Sequence, residues 1–112
     1  MHYVYVAGPI SKGDVFKNLR LGIDTGAELR KLGFAPFVPH YDFLAYMYRD
    51  DVWTYEEVLA NDFDWIRRCD AILRLPGESA GAEREVAFAN KIKVPVYYNI
   101  SDLLDARDGS AN

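Results

Sequence analysis

Two carboxylates, Glu83 and Glu85, follow the loop Pro76-Gly77-Glu78-Ser79-Ala80-Gly81 and open a stretch in which Ala82, Val86 and Ala89 recur at helical spacing. At about 100° per residue, Glu85 falls roughly 60° from Ala82 and 40° from Ala89, on the margin of the apolar face, with Glu83 on the opposite flank. A carboxylate at a buried margin, facing a glycine loop, is partly stripped of water and can work as nucleophile or base. The same two side chains can also do no more than favour the positive end of the helix dipole. A second loop, Gly8-Pro9-Ile10-Ser11-Lys12-Gly13-Asp14, has the glycines, serine and lysine of a phosphate cradle. It lacks both G-x-x-x-x-G-K-[ST] and G-x-G-x-x-G, and an ordinary Gly-Pro turn between a strand and a helix describes it equally well. Asp62 and Asp64 lie on different faces of a further helical stretch, where solvated carboxylates are the plain alternative. Residues 40–54 are rich in aromatics without a clean period. Tyr41, Phe43 or Trp53 could stack a planar ligand, worth about 1–3 kcal/mol for a base, or meet a second copy of the chain. His2 and His40 lack the companions a metal site needs.

These side chains depend on a regular frame. Residues 2–7 read as a buried central strand closed by Gly8-Pro9, and 34–38 as a short edge strand because Pro36 removes a ladder donor. Residues 70–75 and 94–98 read as two more strands. Helices are expected over 15–32, with Phe16, Leu19, Ile23, Ala27 and Leu32 as its apolar stripe, over 54–68, started by a Thr54/Glu57 capping box, and over 81–91. Ser101 is expected to cap a short last helix, with 107–112 as a frayed tail. Alternating strands and helices predict an α/β fold: a doubly wound, flavodoxin- or Rossmann-like sandwich on a mainly parallel sheet of four to five strands. The loops after Ala7, Val38 and Leu75 then share the edge where such sheets bind ligands.

The chain of 112 residues is expected to form a single domain, 1–112, burying roughly two-thirds of its unfolded surface. A net charge of −4 without a Lys/Arg run argues against binding nucleic-acid polymers. One cysteine, Cys69, excludes an internal disulfide and a Cys-rich zinc cage, leaving packing as its role. The first residues carry no basic segment and no stretch able to cross a bilayer, so no membrane role and a cytoplasmic location are expected.

Three segments taken together, Tyr5-Val-Ala-Gly-Pro-Ile-Ser11, Asn61-Asp-Phe-Asp-Trp-Ile-Arg-Arg-Cys-Asp-Ala71 and Ser79-Ala-Gly-Ala-Glu-Arg-Glu85, resemble the nucleoside 2-deoxyribosyltransferase superfamily. The likeness is greatest to its small branch of 2′-deoxynucleoside 5′-monophosphate N-glycosidases and their short phage and bacterial relatives. The resemblance implies that Glu85 is the nucleophile, that Asp62 assists it or handles the leaving base, and that Tyr5 stands near the reaction centre. It implies that Gly8, Ile10, Ser79 and Gly81 surround a 5′-phosphate; Pro9, Ser11 and Lys12 of the first loop, with His40 and Trp53 from the aromatic stretch, complete the expected substrate-binding set. Pro9 and Ser11 stand where the family has serine and arginine, and Lys12 is the nearby cation that could compensate.

The implied activity is hydrolysis of the N-glycosidic bond of a (deoxy)nucleoside 5′-monophosphate through a covalent glutamyl-sugar intermediate. Base exchange by a 2-deoxyribosyltransferase and a nucleotide-binding module without turnover are the alternatives. No cofactor or metal is implied. The partners implied are a small nucleotide or nucleoside and a second copy of the chain, as a homodimer or higher homo-oligomer.

Overall fold

The computed structural model describes residues 1–49 and 53–109, so residues 50–52 of the aromatic stretch and 110–112 of the expected tail lie outside the described residues. The elements run β1 (Tyr3–Ala7), α1 (Val15–Lys31), β2 (Ala35–Phe37), a 3-10 turn (Pro39–Asp42) leading into α2 (Phe43–Tyr48), α3 (Tyr55–Arg68), β3 (Ala71–Arg74), α4 (Ala80–Ile92), β4 (Val96–Tyr97) and α5 (Ile100–Asp108). The strands form one parallel sheet in the order β2-β1-β3-β4. This is the doubly wound α/β fold, with Pro36 on an edge strand and β1 at the centre.

Strand alternation feeds two cores. Val4, Val6 and Leu73 pack with Leu29 of α1 and Leu103 of α5, whereas Tyr5, Ala7 and Ile72 pack with Ile66 of α3 and with Ala82 and Ala89 of α4. Both faces are covered, as a parallel sheet requires. The chain winds outward from β1 to β2 on one side and from β3 to β4 on the other. The order therefore reverses between β1 and β3, and a crevice opens beyond their carboxyl ends.

Several local expectations hold. Thr54 Oγ1 accepts from Glu57 N–H at 3.1 Å while Glu57 accepts from Thr54 N–H at 3.3 Å, closing the capping box. Cys69 sits half-buried against the second core, its thiol pushed up to about 11, first by burial and then by Asp70.

Three details differ. In α1 the buried stripe is Gly22, Thr25, Gly26 and Leu29, with Phe16 and Ile23 exposed. The helix lies so close to the 39–41 turn that only small residues fit: a Cβ on Gly22 would come 2.4 Å from His40 Cγ, and one on Gly26 2.8 Å from the Tyr41 hydroxyl. The last helix is capped by Asn99, whose side chain accepts from Asp102 N–H at 2.8 Å, and Ser101 lies inside it. It continues through Asp108 to Gly109, and Arg107, expected in the tail, donates to the Leu32 carbonyl and lies over the Phe34 ring. Within residues 40–54, the short α2 forms where no period was legible.

Candidate active site

Glu85 projects from the second turn of α4. Ser79 caps that helix, its hydroxyl accepting from Ala82 N–H at 3.0 Å, so the β3–α4 loop fixes where the first turns begin. The Glu85 side chain, 6% exposed, points to the sheet rather than to water. There the fully buried Tyr5 hydroxyl of β1 donates to Glu85 Oε2 at 2.5 Å. Asp62 of α3, also buried, is the charged neighbour of both. Three chain segments thus bring one phenol and two carboxyls to one point.

The electrostatics follow from that burial. Glu85 is pushed up to about 8, chiefly by loss of water and also by the charge of Asp62, against the Tyr5 hydrogen bond and the Arg74 guanidinium, which pull it down. Asp62 rises to about 6, chiefly by burial and further by Asp42, while bonds from Glu85 and Tyr5 oppose the rise. The two carboxyls titrate as a pair and share a proton near neutrality. Tyr5 is raised well above its ordinary range, mainly by burial, and stays a donor.

Glu85 and Asp62 face a cavity of about 500 Å³ at the carboxyl end of the sheet. Its walls include Gly8, Ile10, Ser11 and Lys12 from the first loop, Ser79 and Gly81 at the start of α4, and His40 and Trp53. Of the expected catalytic and substrate-binding residues, Tyr5 and Pro9 are not on the wall. Tyr5 lies beneath Glu85. Pro9 packs on Gly77, where a Cβ would approach its ring to 2.8 Å, and its carbonyl lies 3.2 Å from His40 Nε2. A carbonyl only accepts, so Nε2 carries the proton, and burial holds His40 below its ordinary pKa and neutral. Lys12 is 61% exposed and 3.0 Å from Glu78, a surface pair worth about 0–1 kcal/mol and easily exchanged for a ligand anion. Of the stacking candidates, Phe43 lines the cavity and Tyr41 packs over Gly26 instead.

Sequence reasoning missed two contributions. Tyr55, Val58 and Leu59 line the cavity beside Asp62; their spacing of seven, four and three residues from it marks the same helix face. Arg74, a charged residue inside a central strand, is buried. Its Nη1 donates to the Leu75 carbonyl at 2.5 Å and its Nη2 to Glu83 at 2.7 Å, so it braces the turn beside Glu85. Among the described residues, no three His, Cys, Asp or Glu side chains gather so as to hold a metal ion, and no helix is long and apolar enough to cross a membrane.

The fold is similar to a solved structure described as a 2-deoxyribosyltransferase from the psychrotolerant bacterium Bacillus psychrosaccharolyticus. The TM-score is 0.66 at 21% identity, over 84% of this chain and 69% of that one. No curated protein matches the sequence significantly. A family profile described as "Domain of unknown function (DUF4406)" matches residues 2–98, nearly the whole sheet and its helices, and the chain belongs to that family.

Proposed function

We propose that this protein cleaves the N-glycosidic bond of a (deoxy)nucleoside 5′-monophosphate, releasing free base and sugar 5-phosphate. The observation that carries the reading is the buried Glu85, held by Tyr5 and paired with Asp62 at the wall of a cavity large enough for a nucleotide. Departure of a base leaves an oxocarbenium-like sugar, which a carboxylate beside the anomeric carbon stabilises and then traps.

In this reading the ionised Glu85 attacks C1′ as the C1′–N bond breaks, and the electron pair leaves with the base. Protonated Asp62 gives its proton to the departing base. Water then attacks C1′ while the Asp62 carboxylate takes its proton, and Glu85 is freed with the sugar hydroxyl formed on the original face. The phosphate is held by Lys12, Ser11 and the Gly8–Ile10 backbone on one side and by Ser79 and Gly81 on the other. The Ala80 and Gly81 amides in the first turn of α4 have no intrahelical acceptors and suit an anion. Anchoring that remote group holds the sugar for attack.

The likeness to a protein described as a 2-deoxyribosyltransferase favours a second reading, in which another base rather than water resolves the intermediate. Incubation with a panel of nucleosides and their 5′-monophosphates, scored for free base by chromatography with and without an acceptor base, separates the two. Monophosphates should release base without an acceptor. Ligands recovered intact after long incubation would overturn both readings and leave a binding module.

A further inference from the structure

Beside the main cavity lies a second one of about 300 Å³, and Asp62, Val58 and Trp53 form part of the wall of both. Its other walls include Phe37, Trp65, Asp42 and Asn61. Phe37 stacks on Trp65 with ring centroids 4.7 Å apart and on Tyr5 at 5.6 Å, so three rings form a ladder that ends at this pocket. Flat aromatic walls are what a planar heterocycle seeks. Among the described residues, neither Asp42 nor Asn61 spends its side chain on a hydrogen bond. Asp42 supplies an acceptor only, and Asn61 supplies both a donor and an acceptor.

We infer that this pocket receives the leaving base, and that it is built for an amino-bearing one, an aminopyrimidine or a 6-aminopurine, whose exocyclic amine donates to Asp42 while its adjacent ring nitrogen accepts from Asn61. The inference rests on the nucleotide reading above. It assigns sugar and phosphate to the larger cavity and base to the smaller one, with Asp62 at the boundary where the bond breaks. An oxo base presents a carbonyl oxygen to Asp42 in place of the amine, and two acceptors facing each other repel.

The chain carries its own reporter: Trp53 and Trp65 are its two tryptophans, and both line this pocket. Glu85→Gln protein is titrated with dCMP, dUMP, dAMP and dIMP, following tryptophan emission and calorimetry. The amino-bearing pair should bind about tenfold or more tightly than the oxo pair, with emission changing on binding. Asp42→Asn in the same background should erase the difference, and Asn61→Leu serves as the independent second variant. Binding without an emission change, equal affinity for both pairs, or a preference that survives both substitutions would overturn the inference. Wild-type protein releasing base equally from all four would overturn it while leaving the cleavage reading intact. An amino preference in binding with no base released by wild-type protein would support the pocket and overturn cleavage. Failure of every monophosphate to bind overturns both.

Discussion

Tyr5 donates its hydroxyl hydrogen to Glu85 Oε2 from directly beneath it, joining the central strand to the helix that carries the candidate nucleophile. That bond favours the ionised carboxylate, against a burial that disfavours it. Tyr5→Phe keeps the stack on Phe37 and removes only the donor. Glu85 should then hold its proton to higher pH, and base release at pH 6 should fall about tenfold or more, with a smaller loss at pH 8. Parallel pH–rate profiles of the two proteins check this; superimposable acid limbs would remove Tyr5 from the chemistry.

In the proposed reaction the productive state has Glu85 ionised and Asp62 protonated, the minor arrangement of the one proton on the pair, because Glu85 holds it more strongly. Its population is greatest between the two titrations, so kcat/KM should be bell-shaped, with limbs near about 6 and about 8. A rate that rises steadily through pH 9 would show that no proton from Asp62 is needed.

Glu85→Gln should abolish base release and stabilise the fold at alkaline pH. The sign follows from the raised value: between the ordinary 4.5 and about 8, the native state holds a proton that the unfolded chain has lost. Native stability therefore falls as pH rises through that window. Glutamine has nothing to ionise, so its advantage should be small at pH 4 and at least about 1 kcal/mol at pH 9, by urea unfolding at each pH.

Gly22→Ala places a methyl 2.4 Å from the His40 ring. Helix propensity would gain about 1 kcal/mol, but overpacking against a buried ring costs about 1–3 kcal/mol, so net destabilisation is expected. Because His40 lines the cavity, KM should rise more than kcat falls. A variant of unchanged melting temperature and KM would contradict this close approach.

Arg74→Met keeps most of the volume but removes a buried cation that favours ionised Glu85. The limb near about 8 should move to higher pH, with slower base release below it. Glu83→Gln should leave the profile in place and change stability by less than about 1 kcal/mol, because the Glu83 side chain is 69% exposed. Equal effects of the two substitutions would mean that the ion pair itself matters rather than the charge beside Glu85.

The sequence makes the sheet legible because β1 and β3 are apolar runs closed by Gly8-Pro9 and Leu75-Pro76, and because Pro36 betrays an edge. Glu85 is legible because Ala82 and Ala89 define the face it borders. The packing of α1 is not, since periodicity weighs large side chains, whereas Gly22 and Gly26 are buried by virtue of being small. Arg74 is hidden by its apolar neighbours in β3. Asp62 and Asp64 are alike in sequence, and only the tertiary packing puts the first against Tyr5 and leaves the second exposed, paired with Arg67.

The rim of the cavity is keyed together before any ligand arrives. Leu75 N–H donates to the Ala7 carbonyl at 2.7 Å, a Cβ on Gly8 would lie 2.9 Å from Leu75 Cβ, and Pro9 fills the space beside Gly77, whose φ of +112° suits glycine alone. The two rim segments are therefore preorganised. A ligand does not have to freeze them on arrival, and the entropy that ordering would have consumed remains available as affinity.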